Sequence, residues 1–316
     1  MKIAIHINGG RPDSWLAAMP EALRAAGLDA HVSVWVPGDA QADFAISWSP
    51  SAQFMAEQAA GLQALFSVGA GVDHILGVPG LPDSLPIIRV EDAGMGAQMA
   101  HYVSWAALRH LYGFDALQAA QRERRWTNRL FAEADTCTVG VLGMGVLGEQ
   151  VAATLDGLGF AVRGFSRGAR DPQAYIPGVQ HMDASHGLDA FLNGLNMLVL
   201  LAPLTRETQD LITLDALRKM ARPSYLINVA RGALVVEKDL LAALDEGTLA
   251  GATLDVFRTE PLPESHPFWT HPKITVTPHI SAKTVVSTSA TQIAGKIAAL
   301  MRGESVTGVV DRTRGY

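Results

Sequence analysis

The chain is 316 residues long, 48% apolar and 18% charged, which gives it the length for two domains and the composition of an ordinary globular protein. With 25 basic and 31 acidic side chains its net charge is −6, so neither a nucleic acid nor an anionic membrane is an expected partner. A single cysteine, Cys137, excludes an internal disulfide and a cysteine-based zinc cage. No run without Asp, Glu, Lys or Arg exceeds 16 residues, as at Ala190–Thr205, too short for a membrane span. Met1–Gly10 breaks at His6 and Asn8 and does not read as a signal peptide, so the expected location is the cytoplasm.

Lys2–Ile7 alternates and is rich in Ile, the pattern of a strand. Helical spacing follows over Trp15–Ala26, then strand-like His31–Val36, Ala42–Trp48 and Leu62–Ser67, with a helix-like Ser51–Ala60 between the last two. This alternation predicts a parallel sheet with crossover helices. Pro79, Pro82 and Pro86 punctuate the next stretch, and a long helix is predicted from about Ala97, with Met99, Val103, Ala107 and Leu111 in step. A second series begins at Cys137–Leu142, followed by a helix over Glu149–Leu158 and a strand over Ala161–Phe165. Met197–Leu201, Ser224–Val229, Ala250–Asp255 and Ile274–Thr277 read as further strands, and Ser287–Arg302 as a last helix. The fold class is α/β, with two domains each built on a parallel sheet. We expect residues 1–92 and 287–316 to form one domain and 93–286 the other.

Gly143-Met144-Gly145-Val146-Leu147-Gly148 fits GxGxxG, directly after a strand and directly before a helix. The first glycine permits the tight turn, the second lets a pyrophosphate approach the backbone, and the third lets helix pack on strand. Amides at the helix start favour the anionic phosphates. A site for NAD would carry Asp or Glu at the end of the next strand, to hold the ribose hydroxyls. Here that strand ends in Ser166-Arg167, a hydroxyl and a cationic fork that suit a 2′-phosphate, with Arg170 as a further charge. The expected cofactor is therefore NADP(H), with NAD(H) as the second choice.

Three further strand ends carry ionisable residues: Arg231 in Asn228–Gly232, Glu260 after Leu254–Phe257, and His279 after Thr277-Pro278. Singly, each has an ordinary reading as an ion-pair partner, a loop acid or a loop histidine. Together, beside a dinucleotide turn, they suit proton and hydride transfer.

Across essentially its whole length the chain resembles the D-isomer-specific 2-hydroxyacid dehydrogenase family. The resemblance rests on Gly143–Gly148, Leu201-Ala202-Pro203-Leu204-Thr205, Asn228–Gly232, Leu254–Phe257 with Glu260-Pro261, and Pro278-His279-Ile280. It implies a Rossmann-type dinucleotide domain and a flavodoxin-like substrate domain facing each other across a cleft. It also implies that Arg231 binds the substrate's carbonyl and carboxylate, that His279 is the acid/base, and that Glu260 is its hydrogen-bonded partner. Asp255 resembles the family acid near the nicotinamide carboxamide. Leu201, Ala202, Pro203, Thr208, Val229, Ala230 and Ser281 are implied cofactor contacts beside the glycine turn. Val68-Gly69-Ala70-Gly71-Val72-Asp73 resembles the loop whose Gly69, Ala70 and Gly71 amides hold the substrate carboxylate; its plainer reading is a tight turn.

Trp48, Arg89–Gly96 and Pro267-Phe268-Trp269 resemble the subgroup that reduces glyoxylate and hydroxypyruvate. Trp48 either caps a small substrate pocket or is an ordinary half-buried aromatic. Three departures stand out: His101 where the family often has Glu, Ser281 where Ala is common, and the pliant Gly168-Ala169 after Arg167. The reading is thus an NADPH-dependent reductase of small 2-oxo acids. Its alternative is a dinucleotide-sensing binding protein, like the family's corepressor relatives. A phosphoglycerate dehydrogenase is not expected, since nothing follows Tyr316 that would serve as a regulatory domain. No metal site is expected, because His6, His31, His181 and His186 lack ligand spacing. A homodimer through about Ala97–Arg125 is expected, with Arg122, Arg124, Arg125 and Trp126 as either a solvated helix end or a partner contact.

Overall fold

The computed structural model describes residues 1–128, 131–169 and 171–316. They divide into two compact units, Met1–Met95 with Thr284–Tyr316, and Gly96–Lys283.

The first unit opens with β1 (Lys2–Ile7), α1 (Pro12–Ala25), β2 (His31–Val34), β3 (Phe44–Trp48), α2 (Ala52–Gln58), β4 (Ala64–Ser67), α3 (Asp73–Leu76) and β5 (Ile87–Arg89). All pairings are parallel, in the order β2-β1-β3-β4-β5, the flavodoxin-like arrangement. The central strands are covered on both faces, which is why β3 and β4 are short and mostly apolar, with Ser47 and Ser67 buried in them. Strand β5, directly after Pro86 and only three residues long, gave no periodic signal in the sequence.

The second unit starts in α4 (Met95–Tyr112), which Gly113 ends in a left-handed conformation (φ +63°) before α5 (Phe114–Arg122). The long helical pattern is thus two helices. The sheet unit follows: β6 (Thr138–Leu142), α6 (Val146–Gly157), β7 (Ala161–Ser166), β8 (Val179–Asp183), α7 (Leu188–Leu192), β9 (Met197–Leu200), α8 (Leu214–Leu217), β10 (Ser224–Asn228), α9 (Glu237–Asp245), β11 (Leu249–Leu254) and β12 (Ile274–Val276). Its seven parallel strands run β12-β11-β10-β9-β6-β7-β8. From β6 the chain first builds outward through β7 and β8, then returns to β9 and builds the other way. The order reverses between β6 and β9, where open α/β sheets leave a crevice at the strand carboxyl ends. Strand β9 is at most 1% exposed throughout, the signature of a doubly covered strand. Cys137, just before β6, is buried, and burial pushes its thiol up to about 11, so it is protonated and inert at neutral pH.

The chain then returns to the first unit, where α10 (Val286–Met301) packs on α1. Lys296 of α10 reaches Glu91 Oε2 at 3.1 Å and the carbonyls of Arg89 and Thr307, which fastens the helix to the end of β5. Among the described residues no helix is long and apolar enough to cross a membrane.

Candidate active site

The glycine turn joins β6 to α6, and its three glycines answer to different constraints. Gly143 has φ +113°, and a Cβ there would lie 2.4 Å from the Ala202 amide nitrogen. A Cβ on Gly148 would lie 2.0 Å from the Gly143 carbonyl oxygen. Both are therefore imposed by the fold itself. Gly145 is different: its backbone is extended (φ −94°, ψ −168°), and a Cβ there would meet nothing within 4 Å. Nothing in the chain requires glycine at that point, whereas a phosphate resting on the backbone does. The Gly143 and Met144 amides are donated to the Phe165 carbonyl. The first turn of α6, with Val146 and Leu147, is left to present helix-start amides to an anion. These residues fit a dinucleotide pyrophosphate.

At the end of β7, the Ser166 hydroxyl donates to the Gly168 carbonyl at 2.8 Å and closes the turn. Among the described residues the exposed Arg167 is the cationic group at this strand end, and its charge contributes to lowering the Glu207 carboxyl. Arg170 lies outside the described residues. The β9 end supplies Leu201, Ala202 and Pro203 next to the glycine turn. Thr208 turns its hydroxyl inward, donating to the Pro203 carbonyl at 2.6 Å and accepting from the Thr205 amide at 2.8 Å. Its side chain shapes this loop.

The three ionisable candidates follow β10, β11 and β12, which are neighbours in the sheet. Asn228 shapes the first loop: its side chain accepts from the Ala230 amide and donates to the Arg231 carbonyl. Val229 and Ala230 are buried, and Arg231 Nη1 donates back to the Ala230 carbonyl at 2.8 Å. A Cβ on Gly232 would lie 2.0 Å from the Phe257 carbonyl carbon, so the Arg231 loop rests on the backbone that leads to Glu260. Glu260 Oε1 accepts from the Phe257 amide at 2.9 Å. Its other oxygen lies 2.7 Å from His279 Nδ1. Burial alone would raise the Glu260 carboxyl. The bonds from His279 and the Phe257 amide, with the His279 and Arg231 charges, outweigh that and hold it below the ordinary carboxylate value.

His279 itself adopts a left-handed backbone (φ +52°), uncommon for a residue with a Cβ. The turn is held by Asp255, which is fully buried. Its carboxylate accepts from the Thr277 hydroxyl at 2.5 Å, the Ile280 amide at 2.9 Å and the Ser281 amide at 2.7 Å. Asp255 thus organises the histidine turn, a task its sequence motif did not disclose. Ser281 is buried beside it.

In the first unit, Trp48 ends β3 half-buried and lies over the loop after β4; a Cβ on Gly69 would meet its ring at 2.5 Å. Its other neighbour is the His74 ring, 3.9 Å between centroids. Gly69 is buried, while Ala70 and Gly71 are partly open. The Ser67 hydroxyl donates to the Gly69 carbonyl at 3.1 Å and braces this loop. Among the described residues no group of three or more His, Cys, Asp or Glu is arranged to hold a metal ion.

Residues 104–281 match the family model for the NAD-binding domain of D-isomer specific 2-hydroxyacid dehydrogenases. Glyoxylate/hydroxypyruvate reductase A of Serratia proteamaculans is 43% identical over 310 residues, 96% of this chain and of the relative. The reductase of that name from Yersinia enterocolitica is 39% identical, with 96% of both chains covered. Among solved structures, the NADPH-dependent glyoxylate/hydroxypyruvate reductase of Sinorhizobium meliloti, in complex with NADP and sulfate, superposes with a TM-score of 0.90. It is 34% identical and covers 100% of this chain and 99% of its own. A D-isomer specific 2-hydroxyacid dehydrogenase of Xanthobacter autotrophicus, in complex with NADPH and MES, also gives 0.90, at 36% identity and 99% coverage of both. This chain belongs to the D-isomer-specific 2-hydroxyacid dehydrogenase family and is an NAD(P)-dependent dehydrogenase.

Proposed function

We propose that the protein reduces small 2-oxo acids, glyoxylate and hydroxypyruvate among them, with NADPH as reductant. The observation that carries this reading is the 2.7 Å bond between His279 Nδ1 and Glu260 Oε2, with Arg231 on the adjoining strand end. With Nδ1 held by the carboxylate, Nε2 is the ring nitrogen left to give a proton. Glu260 keeps the ring oriented. Arg231, charged at every working pH, offers a planar fork for the substrate's carboxylate and carbonyl oxygen. As negative charge grows on that oxygen, the His279 Nε2 proton passes to it. A reduced dinucleotide held with its pyrophosphate at the glycine turn would supply the hydride. The Gly145 backbone and the start of α6 would hold the pyrophosphate, and Arg167 would meet the 2′-phosphate in place of a ribose-binding acid.

Residues 93–286 are assigned to the cofactor, and residues 1–92 with 287–316 to the substrate. There Gly69, Ala70 and Gly71 supply carboxylate-binding amides, with Trp48 beside them. A cytoplasmic homodimer completes the reading. Its support is the aromatic surface of α4, α5 and the segment after them: Trp105, Tyr112, Phe114 and Trp126 are 44%, 38%, 46% and 94% exposed. Steady-state oxidation of NADPH by the purified protein with a panel of 2-oxo acids tests the activity. Turnover of glyoxylate or hydroxypyruvate is expected, and inertness toward the whole panel refutes it.

A further inference from the structure

The turn that carries His279 is anchored from a helix far from it in sequence. Gln98, Tyr102 and Arg109 of α4 are spaced four and seven residues apart, so they share one helix face. Each bonds to β12 or the segment after it. The Gln98 side-chain amide donates to the Lys283 carbonyl at 2.9 Å and accepts from the Lys283 amide at 3.1 Å. Arg109 Nη1 donates to the Thr275 hydroxyl at 2.6 Å. Between them, the Tyr102 hydroxyl lies 2.5 Å from Thr277 Oγ1.

The direction of this last bond follows from its neighbour. Thr277 has one hydroxyl proton, and it goes to Asp255 Oδ1 at 2.5 Å. Thr277 therefore accepts from Tyr102, whose phenol is kept protonated, chiefly because burial raises it. The result is a one-way relay of donors, Tyr102 to Thr277 to Asp255. The same carboxylate takes the Ile280 and Ser281 amides on the far side of His279.

We propose that Tyr102 is a positioning residue for the proton transfer, holding the His279 turn in its left-handed conformation through Thr277 and Asp255. The inference rests on His279 being the proton donor, as argued above. Two features make the relay more than packing. It ends on the side chain that holds the amides of the two residues following His279. It also carries a direction that an apolar contact would lack. An imidazole misplaced by a fraction of an ångström loses rate even when the fold is intact.

The test uses the full chain, with NADPH and glyoxylate as probes, and compares Tyr102→Phe, Thr277→Val and Thr277→Ser. Tyr102→Phe and Thr277→Val are expected to lower kcat by about fivefold to a hundredfold, with KM for NADPH within about twofold of wild type. Thr277→Ser, which keeps the hydroxyl, is expected to restore most of the rate. In a His279→Gln background, Tyr102→Phe should lower the residual rate no further, because its effect passes through the imidazole. A wild-type kcat in Tyr102→Phe, or the same loss with and without His279, would overturn the proposal. So would Thr277→Ser being as slow as Thr277→Val. Undiminished turnover in His279→Gln would overturn the assignment of the site and this inference with it. An indifferent Tyr102→Phe beside a crippled His279→Gln would overturn this inference alone.

Discussion

Replacing Gly145 by alanine separates the demands of the fold from those of the cofactor. The added methyl would meet no protein atom within 4 Å, and the extended backbone at this position accepts any residue. Stability should therefore stay within about 0.5 kcal/mol of wild type, or rise slightly as the unfolded chain loses freedom. Cofactor binding should respond differently, because the methyl occupies space into which a phosphate must come. Overfilling a close-packed contact costs about 1–3 kcal/mol, which corresponds to a rise of about five- to 150-fold in Kd for NADPH. Gly148→Ala is the control. Its methyl would lie 2.0 Å from the Gly143 carbonyl oxygen, a backbone atom that cannot swing aside, so this variant should lose both stability and binding. Thermal unfolding of the free protein, paired with fluorescence titration by NADPH, reads both quantities. A Gly145→Ala protein that binds NADPH as wild type does, or that unfolds as early as Gly148→Ala, would refute the reasoning.

Arg167→Ala should weaken NADPH by tenfold or more, about 1.4 kcal/mol, and leave NADH nearly unchanged; equal losses in the two Kd values would remove Arg167 from the 2′-phosphate. Gly232→Ala should abolish turnover with glyoxylate by pushing the Arg231 loop off the Phe257–Arg258 backbone, and normal kinetics would contradict that contact. In Glu260→Gln the imidazole loses the carboxylate that fixes its ring, so kcat for glyoxylate should fall by about tenfold or more with the NADPH Kd unchanged, and wild-type kinetics would contradict the pairing. Stability supplies a second reading of the same pair. Glu260 titrates lower folded than unfolded, so it contributes stability at neutral pH that is lost as pH falls below the ordinary carboxylate value of 4.5. Glu260→Gln should flatten that part of the acid-unfolding curve, measured by circular dichroism, and an unchanged curve would show the pair to be inert. Light scattering at micromolar concentration should give about twice the monomer's 33.6 kDa, and a monomer mass would remove the homodimer.

Much of this was legible in the sequence because buried parallel strands and glycine turns leave local marks. Met197–Leu200 is apolar without a break since both of its faces are covered, and the glycine turn declares itself by its flanks. Arg231, Glu260 and His279 could be grouped as candidates because each follows a strand, and β10, β11 and β12 are parallel neighbours whose ends lie side by side whatever the intervening length. Other features have no local mark. Strand β5 is three residues between loops, β8 at the sheet edge is half polar, and α9 begins on charges with a narrow apolar stripe. The inward use of Thr208 and of the Ser166 hydroxyl depends on backbone turns that composition does not encode. Asp255 was singled out by its motif for a cofactor contact, but its hold on the His279 turn depends on partners 22 to 26 residues away. Gln98, Tyr102 and Arg109 left a faint signal, three polar side chains on one face of a helix. Their partners in β12 and beyond follow only from the tertiary fold.

The central claim is that His279 gives the proton, and His279→Gln tests it most directly when binding and turnover are measured on the same preparation. The account predicts an NADPH Kd within about twofold of wild type, since the glycine turn is untouched. It predicts a fall in kcat for glyoxylate of at least about a hundredfold, the usual share of general acid catalysis. A variant that binds NADPH normally and reduces glyoxylate at near the wild-type rate would contradict it.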